Sequence, residues 1–260
     1  MSRCVLRAAA AAMAVAAAPV SALDLRSDAG LQWHELRERD AAGRLLVREQ
    51  GWSPRLGLVL SQRWADAWTL RGGLTGWAGR ASYDGQSQGG APVGSHTDTQ
   101  SMTLDAALQW RPVASSSAQL DTGWQIERFR RHIRGAGGYS GLDERLTQPR
   151  WWLGASWRSA GDTTLRAALL WGDRAPLSVR FDDGLFDAAH LRSGRARGVA
   201  LDASWPLTPQ WRIAASAETL SVSRSLDTPL TRGGAAVGTV SQPSWRRERV
   251  AVLLQRSFGD

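Results

Sequence analysis

Between Thr99 and Arg111 every second residue is apolar. Met102, Leu104, Ala106, Leu108 and Trp110 share one face of an extended strand, with Thr103, Asp105, Ala107 and Gln109 on the other. Across a short connection, Pro112 to Ser117, a second run answers it. There Ala118, Leu120, Thr122, Trp124 and Ile126 alternate with Gln119, Asp121, Gly123 and Gln125. Carboxylates on the polar face exclude an ordinary dry core behind this hairpin. The same alternation predicts ten strands, over 26–36, 51–60, 68–79, 100–110, 118–128, 150–158, 163–172, 197–205, 211–222 and 246–258.

One apolar face suits a soluble sandwich as well as a membrane barrel, so the connections decide between them. They run long then short in strict turn: 37–50, 61–67, 80–99, 111–117, 129–149, 159–162, 173–196, 206–210 and 223–245. Outer-membrane barrels have short periplasmic turns and longer outer loops, and an even strand number leaves both termini on the short-turn side. The expected fold is therefore all-β, a ten-stranded antiparallel transmembrane β-barrel with short periplasmic turns and long outer loops. Tryptophan strengthens the expectation: the chain has 14 Trp against 4 Phe and 2 Tyr. Trp64, Trp68, Trp110, Trp157, Trp205 and Trp211 flank short turns, where an interfacial girdle places amphipathic rings, while Trp52 and Trp151 sit near the opposite strand ends.

Residues 1–22 carry Arg3 and Arg7, an alanine-rich segment, and Val20, Ser21 and Ala22 as an A-x-A-like cleavage site, so they read as a secretory signal. The barrel is then residues 23–260. Cys4, the only cysteine, leaves with the signal, which excludes disulfides and thiolate chemistry from the mature chain. All 32 basic residues are arginine; without Arg3 and Arg7, 30 face 24 carboxylates, a balance of about +6. For an exported chain this points to lipopolysaccharide phosphate or anionic lipid as partner, not to nucleic acid. Forked guanidinium groups suit phosphate. They gather at the outer strand ends: Arg37, Arg39, Arg44 and Arg48; Arg192, Arg195 and Arg197; and Arg249. Arg128, Arg130, Arg131, Arg134, Arg246 and Arg247 are the candidate lipopolysaccharide-binding residues.

The polar faces place Arg71, Asp105, Asp121, Glu127, Arg166, Asp202, Arg212 and Glu218 inside the barrel. In so narrow a lumen mixed charges pair and fill the space; a selective channel is the alternative. The four histidines, His34, His96, His132 and His190, fall at strand ends or in loops and are expected to be solvated. No histidine or cysteine spacing suits a metal, no Gly-x-Ser-x-Gly is present, and no cofactor is expected.

Two pieces of sequence, Ser95 to Gln100 (SHTDTQ) before the fourth strand and the glycine-rich Gly135 to Tyr139 after the fifth, resemble the omptins, the outer-membrane aspartyl-histidyl proteases. The resemblance covers most of the chain as architecture. It implies a protease that activates water between an Asp pair and an Asp-His pair, and that needs lipopolysaccharide. The catalytic motifs are not matched. Where the family has Asp-x-Asp-Trp, this chain reads Tyr83, Asp84, Gly85, Gln86; where it has Asp-x-His, it reads Phe181, Asp182, Asp183, Gly184, with His190 the nearest imidazole. Catalysis would have to draw on Asp84, His96, Asp98, Asp182, Asp183 and His190 in relocated roles.

The terminal run from Arg249 to Phe258 looks like the assembly signal of outer-membrane barrels, followed here by Gly259 and Asp260, and implies the barrel-assembly machinery as a partner during insertion. The expected protein is a non-catalytic structural or surface-binding barrel in the outer membrane of a Gram-negative bacterium, with an arginine-rich rim contacting lipopolysaccharide. An omptin-type peptidase and a narrow channel are the alternatives.

Overall fold

The computed structural model describes residues 23–86, 90–113, 116–138 and 140–258. The expected signal segment, Tyr139 of the glycine-rich loop, and Gly259 and Asp260 lie outside them. Fourteen strands form: β1 (Leu23–Arg39), β2 (Leu45–Ala65), β3 (Trp68–Gln86), β4 (Pro92–Trp110), β5 (Ala118–Ile133), β6 (Leu142–Arg158), β7 (Thr164–Gly172), β8 (Pro176–Phe181), β9 (Ala189–Arg192), β10 (Ala196–Pro206), β11 (Trp211–Val222), β12 (Thr228–Arg232), β13 (Ala235–Val240) and β14 (Ser244–Ser257). Ten of them, β1 to β7 with β10, β11 and β14, close into an antiparallel barrel. The ring closes where β1 meets β14, from Arg26 opposite Ser257 to Arg39 opposite Ser244. Closure leaves no unpaired backbone edge in the bilayer, the condition any spanning sheet must meet. All ten lie where the alternation predicts them.

Side-chain direction follows the alternation too. On β4, Met102 and Leu104 are half exposed on the outside, while Ser101 and Ala107 are buried in the lumen. Leu56, Leu58 and Leu60 on β2 and Val250, Val252 and Leu254 on β14 continue the outer apolar band. Rings bound it at both ends. Trp68 and Trp110 stack at 6.0 Å at the short-turn end, and Trp151 stands opposite both Trp124 and Trp171 at the other. Three tryptophans turn inward instead: Trp77, Trp152 and Trp245 are nearly fully buried. Trp152 lies over its cross-strand partner Gly123, where a Cβ would come within 2.5 Å of the indole.

The outer connections differ from expectation. The segments 37–50, 80–99 and 129–149 are mostly strand, because β1 to β6 run on past the apolar band, β3 as far as Gln86 and β4 from Pro92. In these extensions the outer face is polar and the inner face mixes charge with apolar groups, Glu49 beside Val47 and Arg131 beside Phe129, so periodicity fades while the backbone ladder continues. The fourth connection carries β8 and β9, and the fifth carries the hairpin of β12 and β13. β8 takes over from β7 as the partner of β6, pairing Leu177 with Leu146 and Phe181 with Leu142. Leu177, Val179 and Leu191 thereby join Leu36, Phe129 and Trp245 in an apolar cluster that fills the loop end of the lumen.

Replacing Leu104 by Arg on the outer face is expected to cost roughly 2–4 kcal/mol of stability in a bilayer. Ala107 is no fair control, since it packs with Trp152, Ala168 and Leu170. Thr103 faces open lumen space, so Thr103→Arg is expected to cost less than Leu104→Arg. Urea titration of the two variants in lipid vesicles measures the difference, and equal costs would contradict the assigned facing.

Candidate functional site

Two surfaces carry the chain's charge: the lumen and the outer wall above the apolar band. In the lumen, Glu127 of β5 is fully buried and meets Arg247 of β14 at 2.7 Å, Arg150 of β6 at 2.8 Å and Arg249 of β14 at 3.3 Å. Arg249 also reaches Glu218 of β11 at 2.5 Å. Around the ring β5 and β14 stand five strands apart, on opposite walls. The ion pair therefore crosses the lumen.

A second layer lies above it. Arg131 of β5 bonds Glu38 of β1, Glu49 of β2 at 3.3 Å and Glu144 of β6 at 2.6 Å. Aromatic rings fill the space between the layers: Arg247 sits 4.9 Å above Phe129, Phe129 6.1 Å from Trp77, and Trp77 4.8 Å from His34. The void left among Leu36, Arg131, Leu146 and Trp245 measures about 10 Å³, the order of one water. Mixed lumen charges do pair, as expected from the polar faces: Arg71 with Asp105 at 3.3 Å, and Arg166 with Asp121 at 2.6 Å and Asp202 at 3.0 Å.

Several expectations are corrected here. Arg131 and Arg247 are not rim residues but fully buried lumen groups, and Arg249 also points inward. Period two carried upward from outward-facing Val250 would have placed Arg246 outside and Arg247 inside. His34 is not solvated; it is 2 % exposed, 3.4 Å from the Thr99 hydroxyl. Arg150, with no exposed side-chain surface, went unnoticed because it sits at the edge of the sixth predicted strand.

On the outer wall, carboxylates collect arginines. Asp143 of β6, only 3 % exposed, accepts from Arg130 at 2.5 and 3.0 Å and from Arg145 at 3.0 Å, with Arg180 of β8 at 3.9 Å. Arg130 and Arg145 are direct cross-strand partners. Glu35 holds Arg37 at 2.7 Å and Arg48 at 2.6 Å. Arg246, Arg37 and Arg48 stand opposite one another on three successive strands, with Glu248 2.9 Å from Arg246. Like charges placed directly opposite repel, and the carboxylates beneath them only partly offset this. Arg128 lies exposed on the same wall of β5, next to Thr147.

Four of the catalytic candidates share one outer face: Asp84 is the diagonal neighbour of His96 across β3 and β4, and Asp98 stands opposite His132, which approaches Asp182. His96 and Asp98 point the same way, to the outside of β4, and Asp98 is held by Arg134 at 2.7 Å and Arg80 at 3.2 Å. Asp84 is exposed at the end of β3, Asp182 and Asp183 in the turn after β8, and His190 on β9. Among the described residues no carboxylate lies within 4.0 Å of His96 or His190. The imidazole that does approach one is His132, 3.7 Å from Asp182. Asp187, in the loop between β8 and β9, instead ties down the tip of the next hairpin. It accepts from the backbone of Gly234 at 2.9 Å and Gly233 at 3.1 Å, and the Gly234 bond, followed by the Thr231 hydroxyl, holds its carboxyl below the usual range.

No protein-family model matches the chain, and no curated protein matches it in sequence. Among solved structures it is similar to the outer membrane protease OmpT from Escherichia coli, at 14 % identity and a TM-score of 0.56, covering 94 % of this chain and all of that one. It also matches the translocator domain of the autotransporter NalP from Neisseria meningitidis, at 13 % identity and a TM-score of 0.48, covering 98 % and 94 % of the two chains. At such identities likeness is of fold: this chain is a barrel of the outer-membrane type, omptin-like in architecture.

Glu127→Gln would leave Arg150 and Arg247 facing each other in a dry interior. Removing one partner of a buried pair costs about 3–5 kcal/mol. Unfolding in urea should show that loss, whereas Asp98→Asn, on the exposed wall, should change stability by about 1 kcal/mol or less.

Proposed function

We propose that this chain is a non-catalytic barrel of a Gram-negative outer membrane, inserted by the barrel-assembly machinery, whose arginine-rich outer wall binds the phosphates of lipopolysaccharide. The observation that carries this reading is the triad Arg130, Arg145 and Arg180 around the single carboxylate of Asp143. Three guanidinium groups share one buried acid, two of them directly opposed across strands, and the cluster keeps an excess positive charge just above the apolar band. An anion arriving from the lipid side would relieve the repulsion and meet forked donors suited to phosphate. Arg128, on the same wall, and the row of Arg246, Arg37 and Arg48 extend the positive surface around the barrel. Arg134 belongs to it through Asp98.

Binding of purified lipopolysaccharide to the refolded protein tests this reading. Arg130→Gln with Arg145→Gln is expected to weaken binding roughly tenfold or more, since each charge-assisted hydrogen bond contributes about 1.5–3 kcal/mol. The binding should also fall with added salt. Unchanged affinity in the double variant would defeat the proposal.

The non-catalytic part has its own test. A general base must stand about 2.6–3.2 Å from the proton it takes and be oriented by a partner, and His96 has no such neighbour. The protein is expected not to cleave an Arg-Arg peptide, and His96→Ala to leave stability unchanged. Turnover that disappears in His96→Ala or His132→Ala would make the peptidase reading the better one.

A further inference from the structure

Below the cross-lumen layer the barrel is not filled. A cavity of about 850 Å³ runs from the short-turn end, where Asp24, Arg111 and Arg158 line it, up to a roof of Arg150, Glu218 and Arg249. Its walls are the barrel strands, so it is a chamber open at one end and closed at the other. The size falls within the range of small-molecule pockets, but the lining is charged where such pockets are mostly apolar. Ten arginines face five carboxylates around it. Counting Asp121, Glu127 and Asp162, which pair with Arg166, Arg150 and Arg158, still leaves an excess of two positive charges.

Among the described residues, no carboxylate lies within 4.0 Å of Arg26, Arg55 or Arg212. The three stand at different heights: Arg212 at the short-turn mouth, where it bonds the Asp162 carbonyl, Arg26 just inside it, and Arg55 higher, level with Trp77. Arg55 donates to the Ser216 hydroxyl at 3.2 Å and has Asp28, Asp202 and Glu218 within electrostatic reach, along with the like charge of Arg249, and Arg212 bonds Ser204. Arg26 has Asp24 and Asp28 within electrostatic reach but also the like charges of Arg71 and Arg212. The Nε–H groups of Arg26, Arg55 and Arg71 are buried without a hydrogen-bond acceptor. A buried donor without a partner costs about 1–3 kcal/mol, more when it is charged. The three side chains border one cavity whose low-dielectric walls focus positive potential.

From this geometry we infer that the chamber is a second anion site, distinct from the outer wall, which takes a small, multiply charged phosphate compound of up to about nucleotide size from the short-turn side. Arg26, Arg55 and Arg71 supply the forked donors, and the roof makes the chamber a binding site instead of a passage. A lipid cannot enter, because the barrel wall separates the chamber from the bilayer.

Calorimetric titration of the refolded full chain with inorganic pyrophosphate at low salt tests the inference. One salt-sensitive site per chain is expected, weakened at least tenfold in Arg26→Gln/Arg55→Gln and unaltered in the outer-wall variant Arg130→Gln/Arg145→Gln. Failure to bind pyrophosphate at millimolar concentration, an unaltered affinity in the chamber variant, or a loss in the outer-wall variant would each overturn it. The outer-wall variant also keeps this result independent of lipopolysaccharide binding. Should the chamber variant not fold, Ser216→Cys in a Cys4→Ser background offers a second readout. Ser216 lines the chamber beside Arg55, so pyrophosphate should slow alkylation of the new thiol severalfold, and an unchanged rate would equally overturn the inference.

Discussion

A carboxylate on β5 and a guanidinium on β14, five strands apart around a ten-strand ring, meet at 2.7 Å in the middle of the barrel. Neither group is tolerable there alone, since an unpaired charge in so dry a place costs several kcal/mol. Glu127 therefore draws in Arg150 and Arg249 as well as Arg247, and Glu218 offsets a second of these three charges. That layer fixes the opposite walls at one separation and gives the aromatic rings of Phe129 and Trp77 a surface to pack on. It also divides the interior: apolar and ionic packing toward the loops, open charged space toward the short turns.

The division shapes what the protein can do. With the loop end of the lumen occupied, chemistry on the outside has to use the wall and the loops, and the wall offers arginine clusters. OmpT shares the fold at 14 % identity, yet fold alone does not transmit a reaction; sites do. Asp84, His96 and Asp98 are neighbours on the outer face of β3 and β4, yet Asp98 is held by Arg80 and Arg134, and His190 lies away from them on β9.

The barrel was legible in the sequence because a bilayer imposes period two on every strand it touches. Leu104, Leu153 and Val252 report their facing without ambiguity, and all ten strands follow. The signal stops where the bilayer does. Glu35, Arg37 and Glu38 are polar on both faces, so the upward run of β1 read as loop. Period two still governs there, and extending it would have sent Arg247 and Arg131 inward, away from the rim assigned to them. What no local pattern could supply is the pairing itself. Glu127 and Arg247 are 120 residues apart, and which inward arginine meets which inward acid depends on closure and stagger of the whole ring. The chamber was equally hidden, since its excess charge appears only when ten strand ends are brought together.

If the cross-lumen layer seals the loop end, the barrel spans a membrane without opening a path through it. Conductance of the purified protein in a planar lipid bilayer tests this most directly. With the cross-lumen layer intact, inserted protein, verified by its resistance to urea extraction, should add no steady current above the bare membrane at 1 M salt. A stable ohmic step for each inserted molecule would contradict this and make the narrow channel the better reading.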